Sequence, residues 1–178
     1  VSRNNESGNF QVMGDYPDYR RVQEIRIMDG RFLNDLDLEE NRKVCVIGEQ
    51  VILELFNEDE SPIGEYMKIQ GGYCRVIGTF DTPHKQGHGA DRNARTIFIP
   101  LTTFQLAFNY SDRLGWITFT TIPGASGEET EEKVKQIIMK RHNVSPDDDR
   151  AIGSFNTHRF ADQFVSLFSG IKALIWII

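Results

Sequence analysis

The sequence predicts an α+β fold: a ferredoxin-like α/β subdomain interrupted by an inserted β-rich subdomain and followed by a long C-terminal helix. Three observations carry this. A strand–helix–strand pattern stands near each end of the chain, at 8–32 and at 115–155, and two such βαβ units side by side close into an α/β sandwich. Between them, short strands, short helices and turns alternate without a long helix. From Phe160 onward, Phe160, Phe164, Leu167, Ile171, Leu174 and Ile178 recur four and three residues apart, the seam of a helix that packs on another helix. The predicted division is 1–34 with 114–156 for the α/β subdomain, 35–113 for the insert and 157–178 for the terminal helix.

The first unit opens with "GNFQVMGD", where Phe10 and Val12 alternate with polar residues up to Gly14-Asp15, a strand pattern. Pro17 and Asp18 then signal a helix start, with Tyr19, Val22 and Ile25 three apart on one face. "RIMDGRF" returns as a short strand to Gly30. The acidic run "LNDLDLEENRK" (33–43) lacks the glycine and the distant glutamate of a calcium loop and reads as a solvated turn.

In the insert, "KVCVIG" (43–48) is a buried-strand run, and "EQVILELFNED" pairs Val51 with Leu55 and Ile52 with Phe56 at i, i+4, a short amphipathic helix. "SPIGEYMKIQGGYCRVIGTF" reads as a hairpin turning at Gly71-Gly72, with Met67 and Ile69 inward on one arm and Cys74 and Val76 on the other. Residues 81–95 are polar and aperiodic, a long loop. "TIFIPL" is a strand stopped by Pro100, and "TTFQLAFNY" a short helix with Thr102 or Thr103 as its N-cap.

The second unit begins with "GWITFTTIPG" (115–124), in which Trp116, Thr118 and Thr120 alternate with Ile117, Phe119 and Thr121. "SGEETEEKVKQIIMKRHN" (126–143) is a helix capped by Ser126. Its glutamates crowd the first turns, and Lys140, Arg141 and His142 close it, the charge order that suits the helix dipole. "DRAIGSF" (149–155) completes the unit as a short strand.

Composition narrows the function. Apolar residues make up 39% and charged residues 26% of the 178, a globular balance. The net charge of −6 argues against nucleic acid as a partner, because phosphate binding needs a basic face. The two cysteines, Cys45 and Cys74, sit in strand-like runs and read as buried free thiols, with a disulfide open in an oxidising compartment. There is no G-x-x-x-x-G-K-[ST], no G-x-S-x-G and no dinucleotide fingerprint. No catalytic or cofactor-binding residue is assigned. His84 and His88 are four apart in "TPHKQGHGAD", with Asp81 and Asp91 nearby. They are the candidate metal ligands, but Gly87 and Gly89 oppose the helix that would align them, so a solvated loop is the preferred reading.

Seven short motifs recur in a recognisable order: Pro17-Asp18-Tyr19, Gly30-Arg31-Phe32, Val46-Ile47-Gly48, Leu55-Phe56, Pro62-Ile63-Gly64, Val76-Ile77-Gly78 and Ile99-Pro100-Leu101-Thr102-Thr103. In that order and spacing the chain resembles the extracytoplasmic (periplasmic) core domain of MacB-type ABC transporter permeases. The motif residues read as scaffold: Gly48 and Gly78 end strands, Pro62 and Pro100 stop elements, and Phe32 and Phe56 fill core.

The resemblance implies a porter-like α/β subdomain and an inserted β-rich one, placed between the first two membrane helices of a permease at the periplasmic face of the bacterial inner membrane. It implies a non-catalytic domain that couples cytoplasmic ATP hydrolysis to extracytoplasmic movement, in efflux or in lipoprotein or peptide export. The implied partners are a second permease copy, a cytoplasmic ABC ATPase that binds the ATP, a periplasmic adaptor, an outer-membrane channel and the membrane itself. The alternative is a free-standing periplasmic metal- or ligand-binding domain using "HKQGH". On the first reading, 157–178 is a stalk helix leading into a transmembrane helix. It is apolar all round only after Lys172, too short for the twenty or so residues of a span, and both ends of the domain are expected to point the same way.

Overall fold

The computed structural model describes residues 1–57, 59–81, 93–111, 113–122, 124–145, 147–148 and 150–157. The chain forms two compact units, Val1–Thr118 and Phe119–Ile178. In the first, the described strands join into one eight-stranded sheet. They are β1 (Ser2–Arg3), β2 (Glu6–Ser7), β3 (Gln11–Asp15), β4 (Arg26–Gly30), β5 (Val44–Gly48), β6 (Tyr66–Ile69), β7 (Gly72–Asp81) and β8 (Thr96–Pro100). The helices are α1 (Tyr19–Val22), α2 (Asp35–Glu39), α3 (Glu49–Leu55), α4 (Leu101–Ala107) and, in the second unit, α5 (Gly127–Arg141). The α+β class stands.

The sheet runs β2-β1-β6-β7-β5-β8-β3. β7 organises it. One edge of β7 pairs antiparallel with β6 along Gly72–Arg75 and with β4 along Gly78–Asp81, while the other edge pairs parallel with β5. β3 and β4, expected as flanks of one βαβ unit, are not neighbours: β3 lies parallel to β8 and β4 antiparallel to β7. The strand–helix–strand order is present, but α1 is a single turn, shorter than the crossover a parallel pair requires.

Alternation on the central strands, reset in β7 by a register shift against β5 between Val76 and Gly78, creates two cores. Cys45, Ile47, Met67, Ile69, Cys74, Val76, Ile97 and Ile99 face one side and meet Val51 and Leu55 of α3 and Phe104 of α4. Val46, Phe80 and Phe98 face the other and meet Phe32 and Leu33, with Tyr19 and Ile27 at the margin. Phe98 centres the second core, its ring 5.2 Å from Phe80, 5.7 Å from Phe32 and 5.5 Å from Tyr19.

Three local expectations change. The acidic run 33–43 is not a solvated turn. It holds α2, closed by a capping box in which the Asn34 side chain accepts from the Asp37 N–H and the Asp37 carboxylate accepts from the Asn34 N–H. The hairpin turns at Gln70-Gly71, since Ile69 pairs with Gly72 and both turn residues have positive φ, 48° and 83°, the two-residue turn that matches strand twist. Pro100 holds the N-cap position of α4. The Thr102 and Thr103 hydroxyls are engaged elsewhere, donating to the Leu38 and Arg42 carbonyls at 2.8 and 2.9 Å.

In the second unit α5 forms as its pattern predicts. Ser126 Oγ accepts from the Glu129 N–H, acidic residues occupy the first turn, and Lys140 and Arg141 the last. The segments 115–122, of which 115–118 belong to the first unit, and 150–155 form no ladder among the described residues. Trp116, Ile117, Ile122 and Phe155 are exposed there. An alternating run specifies the faces of a strand, and it becomes a strand only where an edge completes its hydrogen bonds. Among the described residues no helix is long and apolar enough to cross a membrane. The terminal helix expected over 157–178 lies outside the described residues apart from Thr157.

Candidate functional site

Two of the motifs, Gly30-Arg31-Phe32 and Val76-Ile77-Gly78, meet at the C-terminal half of β7. Gly30 ends β4 with φ 73°, and a Cβ there would overlap the Ile77 carbonyl oxygen. A Cβ on Gly78 would overlap the Arg31 carbonyl oxygen. The two glycines face each other across the β4–β7 ladder, so the backbones meet at a distance only glycine permits. The Arg31 N–H donates to the Ile77 carbonyl at 3.0 Å, and Phe32 is then delivered into the second core. Gly48, between β5 and α3, lies against the Ala94 carbonyl in the same manner. Gly64 has φ 92° and its N–H donates to the Val76 carbonyl at 2.8 Å, which turns the Pro62-Ile63-Gly64 stretch into β6 and sets Ile63 on the first core. Pro17 leads into α1, Asp18 holds its N-cap position without a side-chain cap, and Tyr19 packs on Phe98.

Arg31 also anchors a charged hub. Its guanidinium donates to both oxygens of Asp37 at 2.6 and 3.0 Å, and Arg42 lies 3.5 Å away. Asp37 has no exposed surface. Burial pushes its carboxyl up, but the hydrogen bonds from Arg31 and Asn34 and the charges of Arg31 and Arg42 outweigh this and hold it below the ordinary value. A second hub ties down the start of the chain. Arg3, almost wholly buried, lies over the Phe56 ring at 4.2 Å and donates to the Leu55 carbonyl, Glu60 and Glu65. The motifs marked Arg31 and Phe56, but the sequence pattern did not mark the partners Asp37, Arg42 and Arg3; the Asn34-x-x-Asp37 spacing, a capping-box pattern on the acidic run, was the one further signal.

His84, His88 and Asp91 lie outside the described residues. The described residues on either side of 82–92 are pinned. Asp81, at the end of β7, accepts from Arg26 at 2.6 Å. Arg95 pairs with Glu54 of α3, donates to the Asn9 carbonyl and lies 5.1 Å from the Phe10 ring. Among the described residues no three His, Cys, Asp or Glu side chains gather as metal ligands. Cys45 and Cys74 are free and buried. Burial, with Cys74 beside it, pushes the Cys45 thiol well up, and burial pushes Cys74 to about 11. Both are therefore protonated and poor nucleophiles at neutral pH. What the described geometry supplies is a braced sheet with a hydrophobic core on each side.

The chain matches the profile of the MacB-like periplasmic core domain over residues 1–137. It is 31% identical over 140 residues to the macrolide export ATP-binding/permease protein MacB of Bdellovibrio bacteriovorus, covering 79% of this chain and 21% of that protein. It is 24% identical over 149 residues to the pyoverdine export ATP-binding/permease protein PvdT of Pseudomonas entomophila, covering 84% of this chain and 23% of that protein. The chain thus spans about a fifth of the length of these relatives. Its fold is similar to the periplasmic region of MacB from Actinobacillus actinomycetemcomitans, with a TM-score of 0.64, 20% identity, and coverage of 75% of this chain and 57% of that one. It is also similar to the extracellular domain of the ABC-type transporter YknZ from Gram-positive bacteria, with a TM-score of 0.60, 16% identity, and coverage of 80% and 70%. The motif order, the glycine contacts that make structural sense of it and the match over residues 1–137 agree: the chain belongs to the family of MacB-like periplasmic core domains.

Proposed function

We propose that the chain is the extracytoplasmic domain of an ABC transporter permease and acts as a non-catalytic coupling module. In the parent protein it transmits cytoplasmic ATP hydrolysis into movement outside the inner membrane and engages partners or cargo there. The observation that carries this reading is the family match over residues 1–137, and the names of the relatives, which are export permeases, support it. The internal bracing agrees. A domain that passes on force must move as a body, and the glycine-sealed β4–β7 ladder, the Arg31–Asp37 hub and the Arg3 hub tie distant segments into one sheet. ATP is bound by the ATPase component and not by this chain, which has no P-loop. The permease works as a pair with a second copy, and the periplasmic adaptor and outer-membrane channel belong to the same assembly.

The placement is tested by labelling exposed positions. In cells carrying the full-length parent, a cysteine introduced at Leu53, which is exposed, reacts with a membrane-impermeant maleimide once the outer membrane is permeabilised. Labelling only after the inner membrane is lysed would overturn the placement.

A further inference from the structure

We infer that the bare face of the β6–β7 hairpin, formed by Tyr66, Lys68, Tyr73 and Arg75, docks an acidic segment of a partner protein. The sheet face that holds Phe80 and Phe98 is roofed by Phe32, Leu33 and Tyr19. Two residues at a time back along β7, this face passes from Ile77 to Arg75 and Tyr73, and the roof ends. The burial alternation confirms the direction: Met67, Ile69, Cys74 and Val76 are buried on the other side, while Tyr66, Lys68, Tyr73 and Arg75 are exposed. Tyr66 is 58% and Tyr73 62% exposed, far more than a ring needs merely to keep its hydroxyl wet.

The register turns these side chains into a patterned surface. Tyr66 stands opposite Arg75 and Lys68 opposite Tyr73, so each cation has a ring as its cross-strand neighbour and the cations meet only diagonally. Tyrosine and arginine are enriched at interfaces and among the residues that dominate binding energy. Rings carried on paired strands are already ordered and lose little further freedom when a partner covers them.

Charge selects the occupant. The four positions hold two cations and no carboxylate, in a chain whose net charge is −6. A carboxylate-bearing segment is attracted here, and Arg75 can take a carboxylate with two parallel hydrogen bonds. A second copy docking face to face would set this basic patch against itself. An anionic bilayer would have to overcome the negative charge of the whole domain. That the partner is extracytoplasmic rests on the function proposed above; the binding chemistry does not.

The test titrates the isotope-labelled 178-residue chain at low salt with a synthetic peptide of alternating Glu and Thr, and with the same peptide carrying Gln for Glu. The expected result is that the Glu peptide shifts the resonances of Tyr66, Lys68, Tyr73 and Arg75 and the Gln peptide does not. K68E/R75E and Y66A/Y73A, all surface changes that keep the wild-type melting temperature, each weaken binding at least about tenfold. No shift, shifts mapping to another surface, or equal affinity in K68E/R75E overturns the assignment. So does a face that responds only to phosphatidylglycerol vesicles, or only to self-association in sedimentation. Any of these leaves the coupling role intact, because that role is read from nucleotide-driven movement and not from this face.

Discussion

Arg31 grips Asp37 with both terminal nitrogens, and the carboxylate it holds is sealed from solvent while the guanidinium is not. The carboxylate has lost all its hydration, and the guanidinium keeps some. Replacing Asp37 therefore removes the centre of the hub: the Arg31 bonds, the Arg42 attraction and the reciprocal half of the α2 capping box. Asp37→Ala is expected to cost about 2–4 kcal/mol, and Arg42→Ala, which removes a partly exposed partner at 3.5 Å, about 1 kcal/mol or less. Urea unfolding of both variants checks the order.

The same carboxylate gives a pH signature. The folded state holds Asp37 below its ordinary value, so the unfolded chain takes up the proton first as pH falls. Its contribution is complete above the unfolded value near 4 and is lost as pH drops through the folded one. Asp37→Asn should flatten this acid limb, measured as urea midpoint against pH from neutral to acid.

Asp15 behaves in the opposite sense. Burial raises its carboxyl to about 6, only partly offset by the hydrogen bond from the Tyr16 N–H. Here the folded state holds the proton more tightly, so stability falls as pH rises through the interval between the unfolded value and about 6. Asp15→Asn keeps an acceptor for Tyr16 and removes the half-buried charge. It is expected to stabilise by about 1–2 kcal/mol at neutral pH and by nothing near pH 4.

The glycine contacts divide the motif from its surroundings. Gly78→Ala places a methyl on the Arg31 carbonyl, a backbone atom just past the end of β4 and held by the Arg31 N–H bond to Ile77, and is expected to cost about 3 kcal/mol or prevent folding. Gly115→Ala meets nothing within 4 Å and should stay within about 0.5 kcal/mol of wild type. Thermal melts of the pair separate a structural motif from incidental glycine.

These contrasts show which features local sequence carries. β5, α3, β8 and α5 were legible because their side-chain periods are regular and their caps or stops, such as Ser126 and Pro100, are local. The pairing of β4 with β7 was not, because the Gly30–Gly78 meeting joins residues far apart in sequence, and periodicity names a face but not a partner. Asp37 was hidden for a related reason: an acidic run reads as solvated unless its arginine partners are placed, and Arg31 and Arg42 reach it only once α2 has formed. The motif glycines Gly30, Gly48 and Gly78, read as scaffold, stand where a Cβ would meet backbone. The bare tyrosines of the hairpin were invisible as a surface, since Tyr66 and Tyr73 become neighbours of Arg75 and Lys68 only through the Gln70-Gly71 turn.

The coupling role predicts that the unit built on the sheet moves as a body in response to nucleotide. The most direct measurement places a spin label at Leu53, exposed on α3, in the full-length parent in lipid nanodiscs, and records the distance distribution between the two copies by pulsed electron resonance. Nucleotide-free and ATP-trapped states are expected to give distinct distributions, each as narrow as a rigid domain allows. A single distribution unchanged by nucleotide, in a preparation that hydrolyses ATP, would contradict the account.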